Sequence, residues 1–194
     1  MKVAVVGGTG PFGRALAVRL RDAGDDVVLG SRDDARAREA AAELGMSGAA
    51  NDEAVRGVDL VVVATKAEAA VETAQSLSFD APVLSVASEF RSDDSRSVAE
   101  RLADVVAVPV TAGLHSLAAG KLGTDRVDED AFVCGDDADA KALALELAQK
   151  LVHGRAIDAG PLRSARALEA MTGVLISINK RYKTHAGLRV TGVR

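Results

Sequence analysis

The sequence predicts an α/β protein: a doubly wound, mostly parallel sheet with a C-terminal helical extension. Three observations lead there. An apolar run, Val3 to Val6, passes directly into Gly8-Thr9-Gly10-Pro11-Phe12-Gly13. Short apolar runs then alternate with helical periodicities along the chain, the pattern of strands joined by crossover helices. One of these runs, Leu60 to Ala64, is continuously apolar and so suits a strand buried on both faces.

The first strand and glycine turn lead into a helix with apolar residues at Phe12, Ala15, Leu16, Leu20 and Ala23, stopped at Gly24. Val27-Val28-Leu29 is the second strand and Asp33–Leu44 the second helix. The third strand is Leu60–Ala64, followed by a helix over Ala67–Leu77. Pro82–Val86 is the fourth strand, Ser95–Ala103 a helix and Val105–Val110 the fifth strand. Ala131–Cys134 is the sixth, followed by a helix from Asp137 to about Val152. Ala156-Ile157-Asp158 is short and extended, and Pro161 opens a long helix reaching about Arg181. The natural division is residues 1–155 as a nucleotide-binding unit of Rossmann type and 156–194 as a helix and basic tail packed on it. Ligands in such a sheet sit outside the carboxyl ends of the strands. The segments there are Gly8–Gly13, Ser31-Arg32, Thr65–Glu68, Ser85–Arg91 and Thr111–Ser116.

G-x-G-x-x-G between a strand and a helix binds dinucleotides for physical reasons. Gly8 allows the tight turn, Gly10 lets the pyrophosphate approach the backbone, and Gly13 lets the helix pack on the strand. Pro11 and Phe12 lie within the loop, at the start of the helix whose N-terminal N–H groups and dipole favour phosphate. At the end of the second strand an NAD site carries Asp or Glu for the ribose 2′-hydroxyl. This chain has Gly30-Ser31-Arg32 instead. A hydroxyl and a guanidinium suit the 2′-phosphate of NADP(H), and Thr9 and Arg36 can complete the cup. The competing explanation is that Ser31 or Asp33 caps the next helix and Arg32 is merely solvated. Both hold together if Asp33 caps while Ser31 and Arg32 bind.

Composition narrows the class further. A chain of 194 residues with 48% hydrophobic content and net charge −4 fits a compact enzyme, and the acidic balance argues against nucleic acid as a partner. There is no Trp, one Tyr and four Phe, too few for base-stacking platforms. One Cys excludes an internal disulfide and a cysteine-based zinc site, and fits a reducing cytoplasm. Met1-Lys2 enters a core strand at once, so no signal peptide is expected, and no apolar run is long enough to span a membrane. No metal-ligand spacing or Ser-His-Asp arrangement is present. Thr65 and Lys66 follow the third strand, where a nicotinamide ribose runs in such folds. His115, past the fifth strand, is the one histidine expected at the ligand edge. A site rich in cofactor features and poor in acid–base residues suits hydride transfer between two bound cofactors.

GGTGPFG, the SR after strand two, VCGDD at 133–137, DAGPL at 158–162 and the ending INKRYKTHAGLRVTG resemble NADPH-dependent reductases of coenzyme F420. The resemblance implies a Rossmann fold, a homodimer, and direct hydride exchange between the nicotinamide and the 5-deazaflavin ring. Thr9, Ser31, Arg32 and Arg36 match the family's positions for the NADP 2′-phosphate. Leu114-His115-Ser116 is similar to the family's Phe-His-Thr-type segment near the deazaflavin, where His115 would orient the ring. The chain departs from the family at Lys66-Ala67, where a Pro and an aromatic residue are usual. It departs again at Ala87–Arg91, where a proline-rich apolar turn is usual. An NADP-dependent reductase of another small acceptor is therefore the alternative. A non-catalytic nucleotide-sensing domain is a further class, disfavoured by Ser31-Arg32 and by the long closing helix. Taken by themselves, CGDD and DAGPL are a helix cap and a turn before a helix. The basic ending, with Lys180, Arg181, Lys183, Arg189 and Arg194, is either a solvated or dimer-packed tail or an attractor for the acidic tail of F420.

Overall fold

The structure is a computed structural model that describes residues 1–91 and 93–192; Arg194 of the basic ending lies outside the described residues. Eight strands form one sheet: β1 Lys2–Val6, β2 Asp26–Ser31, β3 Ser47–Ala50, β4 Leu60–Val63, β5 Val83–Ser85, β6 Val110–Gly113, β7 Ala131–Gly135 and β8 Ala156–Asp158. Their order is β3-β2-β1-β4-β5-β6-β7-β8. Every pairing is parallel except β6 with β7. The larger helices are α1 Pro11–Asp22, α2 Asp34–Glu43, α4 Ala67–Gln75, α5 Val98–Ala103, α7 Ala138–Leu151 and α8 Ala165–Tyr182; α3 Asn51–Ala54 and α6 Ala119–Leu122 are single turns.

Alternate residues of the central strands feed two separate cores, one on each face of the sheet. Val3 and Val5 of β1 and Leu60 and Val62 of β4 pack with Leu16 and Leu20 of α1. Ala4, Val6, Val61 and Val63 point the other way, onto Val98 and Leu102 of α5. All four β4 residues are buried, as the continuous apolar run predicts. Each such aliphatic side chain removed from water contributes roughly 1.5–3 kcal/mol before entropy is counted.

Several elements differ from the sequence expectation. The fifth strand is not Val105–Val110 but Val110–Gly113. The N–H groups of Val105 and Val106 both donate to the Leu102 carbonyl, so this apolar run still terminates α5. It packs on the core from a loop. The predicted helix over Ser95–Ala103 starts at Val98, because Ser97 and Glu100 form a reciprocal capping box. The strand β3 and the turns α3 and α6 were not expected, since Ser47-Gly48-Ala49-Ala50 carries no branched or aromatic side chain. Ala23, read as part of the apolar face of α1, is exposed at its C-terminus. The long closing helix begins with a 3-10 turn at Leu162–Ser164 before α8. Residues 156–158, beyond the expected division at 155, pair with β7 in the same sheet.

Candidate functional site

The turn after β1 is built on backbone sterics. The left-handed residue is Gly7 (φ 78°) rather than Gly8, to which sequence reasoning assigned the tight turn. A side chain at Gly7 would also lie 2.9 Å from the Thr65 nitrogen. Gly8 is required by packing: a Cβ there would sit 2.7 Å from the Val5 carbonyl oxygen. Gly13 lets α1 close on the loop, with a Cβ only 2.8 Å from the Gly8 Cα. Gly10 is different. The nearest atom to a Cβ there is the Gly7 oxygen at 3.4 Å, so no protein atom demands glycine. Gly10 is also the N-cap of α1 and has no side chain to occupy the first-turn N–H groups. Twelve residues of helix thus end in an open, donor-rich cradle.

A cleft of about 440 Å³ lies over this cradle. It gathers Thr9, Gly10, Pro11 and Phe12 from the loop, Ser31 and Arg32 from the end of β2, and Arg36 from α2. Thr65 and Lys66, after β4, close its far end. Gly8 and Gly13 shape it from behind and do not line it. At the second strand's end the capping role falls to Asp33. Asp33 caps α2 by accepting from the Arg36 N–H at 3.1 Å, and the Asp33 N–H donates to the Ser31 hydroxyl at 3.3 Å. Ser31, Arg32 and Arg36 nonetheless face the cleft, and the two arginines are exposed. Arg38, two residues further along α2, is instead held by Asp34 and Glu53.

A second cleft, of about 470 Å³, adjoins the first and shares Phe12, Ala64, Thr65 and Lys66 with it. Its other wall carries Ala87 and Ser88 after β5, Leu114 and His115 after β6, and Thr172 of α8. Leu114 adopts a left-handed conformation (φ 65°), which turns the chain sharply at the end of β6. His115, which follows, is 8% exposed. Its Nε2 is 3.2 Å from the Ala87 carbonyl oxygen and must donate, because a carbonyl only accepts. Burial pushes its pKa down to about 4, outweighing this hydrogen bond, so the ring is neutral at pH 7. Its Nδ1 is a lone pair with no partner among the described residues.

Sequence reasoning gave α8 no part in this wall. The Thr172 hydroxyl donates to the His115 carbonyl at 2.9 Å, so Ser88 donates the 3.2 Å bond between their hydroxyls. Glu169, fully buried, accepts from the Val98 N–H at 2.8 Å and more weakly from the Glu89 N–H at 3.4 Å. The loop between β5 and α5 is thereby fastened to α8. Asn51 and Thr73, which line the first cleft, were missed as well. Asn51 lies in the unpredicted β3–α3 segment, and Thr73 sits mid-helix.

CGDD and DAGPL form a helix cap and a turn. Asp137 caps α7 through the Ala140 N–H at 2.8 Å, and Asp136 accepts from the Leu162 N–H at 3.0 Å. Asp158 closes the DAGPL turn on the Gly160 N–H at 2.8 Å. In the basic ending, Arg189 pairs with Asp128, while Leu188 and Val190 bracket Asp130 through backbone hydrogen bonds. Lys180, Arg181 and Lys183 are exposed.

Fold and clefts together define an α/β protein of dinucleotide-binding type, with an arginine-lined cup at the end of β2 and a second cleft beyond the glycine loop. A family model described as NADP oxidoreductase coenzyme F420-dependent matches residues 2–89. The F420-dependent NADP reductase of Methanothermobacter marburgensis is 36% identical, covering 100% of this chain and 99% of its own length. The F420-dependent NADP reductase of Methanothermobacter thermautotrophicus is 32% identical over 100% of this chain and 96% of its own. The chain belongs to the F420-dependent NADP reductase family. A crystal structure described as a candidate F420-dependent NADP-reductase from Arthrobacter sp. FB24 superposes with a TM-score of 0.82 at 27% identity, each chain covered in full.

Proposed function

We propose that this protein is an oxidoreductase that moves a hydride between NADPH and the 5-deazaflavin ring of coenzyme F420. One observation carries the reading: the two clefts meet at Phe12 and Thr65–Lys66, so ligands in each would touch there. The residues fit the first ligand, since the Gly10 cradle is open where a pyrophosphate must approach and the cup holds Ser31, Arg32 and Arg36 without a carboxylate in the NAD position. When bound, the nicotinamide and the deazaflavin supply the hydride donor and acceptor carbons. Thr9, Ser31, Arg32 and Arg36 hold the 2′-phosphate, and the first-turn N–H groups of α1 take the pyrophosphate. Thr65 and Lys66 border the nicotinamide end. Ala87, Ser88 and His115 across the second cleft would border the acceptor, and reaction requires the exchanging carbons roughly 3–3.5 Å apart.

His115 acts as a neutral positioning base. With its proton committed to the Ala87 carbonyl, the His115 ring stays neutral at the cleft wall and orients the acceptor ring without supplying positive charge. His115→Ala lowers kcat/KM for F420 about ten- to a hundredfold, the scale of one or two hydrogen bonds, while NADPH affinity is unchanged. The pH dependence has a definite sign. A folded-state pKa near 4, below the ordinary 6.5, means that the unfolded chain takes up the proton first. Stability is therefore complete above pH 6.5 and falls as the pH drops towards 4, by on the order of 3 kcal/mol. His115→Gln flattens that part of the pH–stability curve, and equal slopes in the two proteins contradict the buried neutral ring.

The exposed apolar residues Met171, Val174 and Ile176 of α8 support a homodimer formed through this helix, and the single cysteine fits a reducing cytoplasm. In that assembly residues 1–155 carry the nucleotide cleft, and 156–194 add the edge strand and the helix that backs the acceptor cleft. Reaction with NADPH deuterated at the transferable position tests the direct route. Deuterium is expected on the hydride-accepting carbon of the deazaflavin; its loss to water overturns direct transfer.

A further inference from the structure

We propose that Asn51 is a specificity-determining residue of the nucleotide cleft, its side-chain amide donating to the adenosine 2′-phosphate alongside Ser31 and Arg32. The inference rests on the reading of that cleft as an NADPH site and extends it to a residue outside the glycine loop and the end of β2. Four observations carry it.

The first is register. β2 and β3 pair in parallel with Ser31 opposite Ala50, so Asn51 leaves the sheet edge beside Arg32. The second is burial without satisfaction. Asn51 is only 7% exposed, lines the cleft, and its Oδ1 has no hydrogen-bond partner among the described residues. An amide oxygen only accepts and an anion cannot satisfy it, so the atom of Asn51 that can meet a phosphate is the NH₂ at the other end of the amide.

The third is the fit against Gly30. A Cβ at residue 30 would stand 2.8 Å from Asn51 Oδ1, so glycine immediately before Ser31-Arg32 makes room for the amide. With Oδ1 turned inward against Gly30, the NH₂ end is the one left for the cleft, and it is a donor only. A donor suits a phosphate oxygen and, unlike a carboxylate, does not repel it. The fourth is the surrounding charge. Asp34 accepts from the Ala50 N–H at 3.1 Å and is bound by Arg38 at 2.9 Å, and Arg38 also reaches Glu53 at 3.6 Å. Those contacts fix the β3–α3 turn and offset Asp34 and Glu53, while Asp33 is engaged as the cap of α2 and neither it nor the exposed Asp52 lines the cleft.

The test is calorimetric binding of NADPH and NADH to Asn51→Asp, Asn51→Ala and Gly30→Ala, with Arg32→Ala as reference. Asn51→Asp keeps the shape and replaces the donor by an anion. It is expected to weaken NADPH about thirtyfold and NADH by no more than about twofold, since a repelled dianion loses more than a missing hydrogen bond. Asn51→Ala weakens NADPH about fivefold. Gly30→Ala, which crowds Oδ1, weakens NADPH in the same direction. Equal losses for NADPH and NADH in Asn51→Asp overturn the assignment, because the amide would then read the ribose or adenine common to both. Unchanged NADPH affinity in Asn51→Asp while Arg32→Ala loses it overturns it too. If Arg32→Ala also binds NADPH normally, the reading of the cleft fails rather than the role of Asn51.

Discussion

Gly10→Val folds normally and loses NADPH. The backbone at this position (φ −76°, ψ 164°) is open to any residue, and the nearest atom to an added Cβ is 3.4 Å away. The side chain therefore fills the cradle over the first turn of α1 and displaces the pyrophosphate, and the protein itself is not strained. Affinity for NADPH and NADH falls together, by more than about a hundredfold, or roughly 3 kcal/mol. The neighbouring glycines make the control. Gly8→Val and Gly13→Val drive a Cβ to within 2.7 Å of the Val5 oxygen and 2.8 Å of the Gly8 Cα, so they lower the thermal midpoint as well as binding. Calorimetry that finds NADPH affinity intact in a folded Gly10→Val protein contradicts the cradle.

Arg32→Ala separates the two nicotinamide cofactors. Arg32 is exposed at the rim of the cleft and forms no ion pair with another described side chain, so its guanidinium is available for a ligand. Hydrogen bonds to a charged group contribute about 1.5–3 kcal/mol each, and two lost to the 2′-phosphate raise the KM for NADPH a hundredfold or more. NADH, which lacks that phosphate, keeps its KM. Arg36→Ala follows the same direction with a smaller effect, because Arg36 lies a helical turn further along α2. Equal losses for both cofactors would mean that Arg32 supports the loop and does not read the phosphate.

The parts legible in the sequence are those set by local chemistry. The glycine loop was readable because chain turning and helix approach are steric matters decided within a few residues, although the positive φ belongs to Gly7 and the sequence assigned the turn to Gly8. Ser31 and Arg32 were readable because donor and acceptor types follow from residue identity. Continuous apolar runs marked β1 and β4 for the same reason. Where identity and environment part, the reading failed. Val105–Val110 has strand composition, yet its first N–H groups finish α5, and pairing with β5 begins only at Val110. The strand β3 has no strand-like residues and is held by its neighbours β2 and α2.

The acceptor wall was the least legible part because it is assembled across long stretches of chain. His115 was picked out by its position, but its neutral state depends on burial under residues from β5 and α8. Glu169 and Thr172 look like ordinary positions of an amphipathic helix until α8 is docked on the loop after β5. The departures from family pattern at Lys66-Ala67 and Ala87–Arg91 fall on this wall. Lys66 adds a cation at the junction of the clefts, and Glu89 is tied to Arg101.

The central claim is that the two adjoining clefts serve one hydride exchange between NADPH and coenzyme F420. Mixing the purified protein with NADPH and oxidised F420 near neutral pH, and following the deazaflavin absorption band with the nicotinamide band, tests it most directly. The expected result is loss of both bands in a one-to-one ratio, regained when NADP and reduced F420 are mixed, with the rate at limiting NADPH falling about a hundredfold in Arg32→Ala. NADPH oxidised only when some other acceptor is supplied, with the deazaflavin band unchanged, would contradict it.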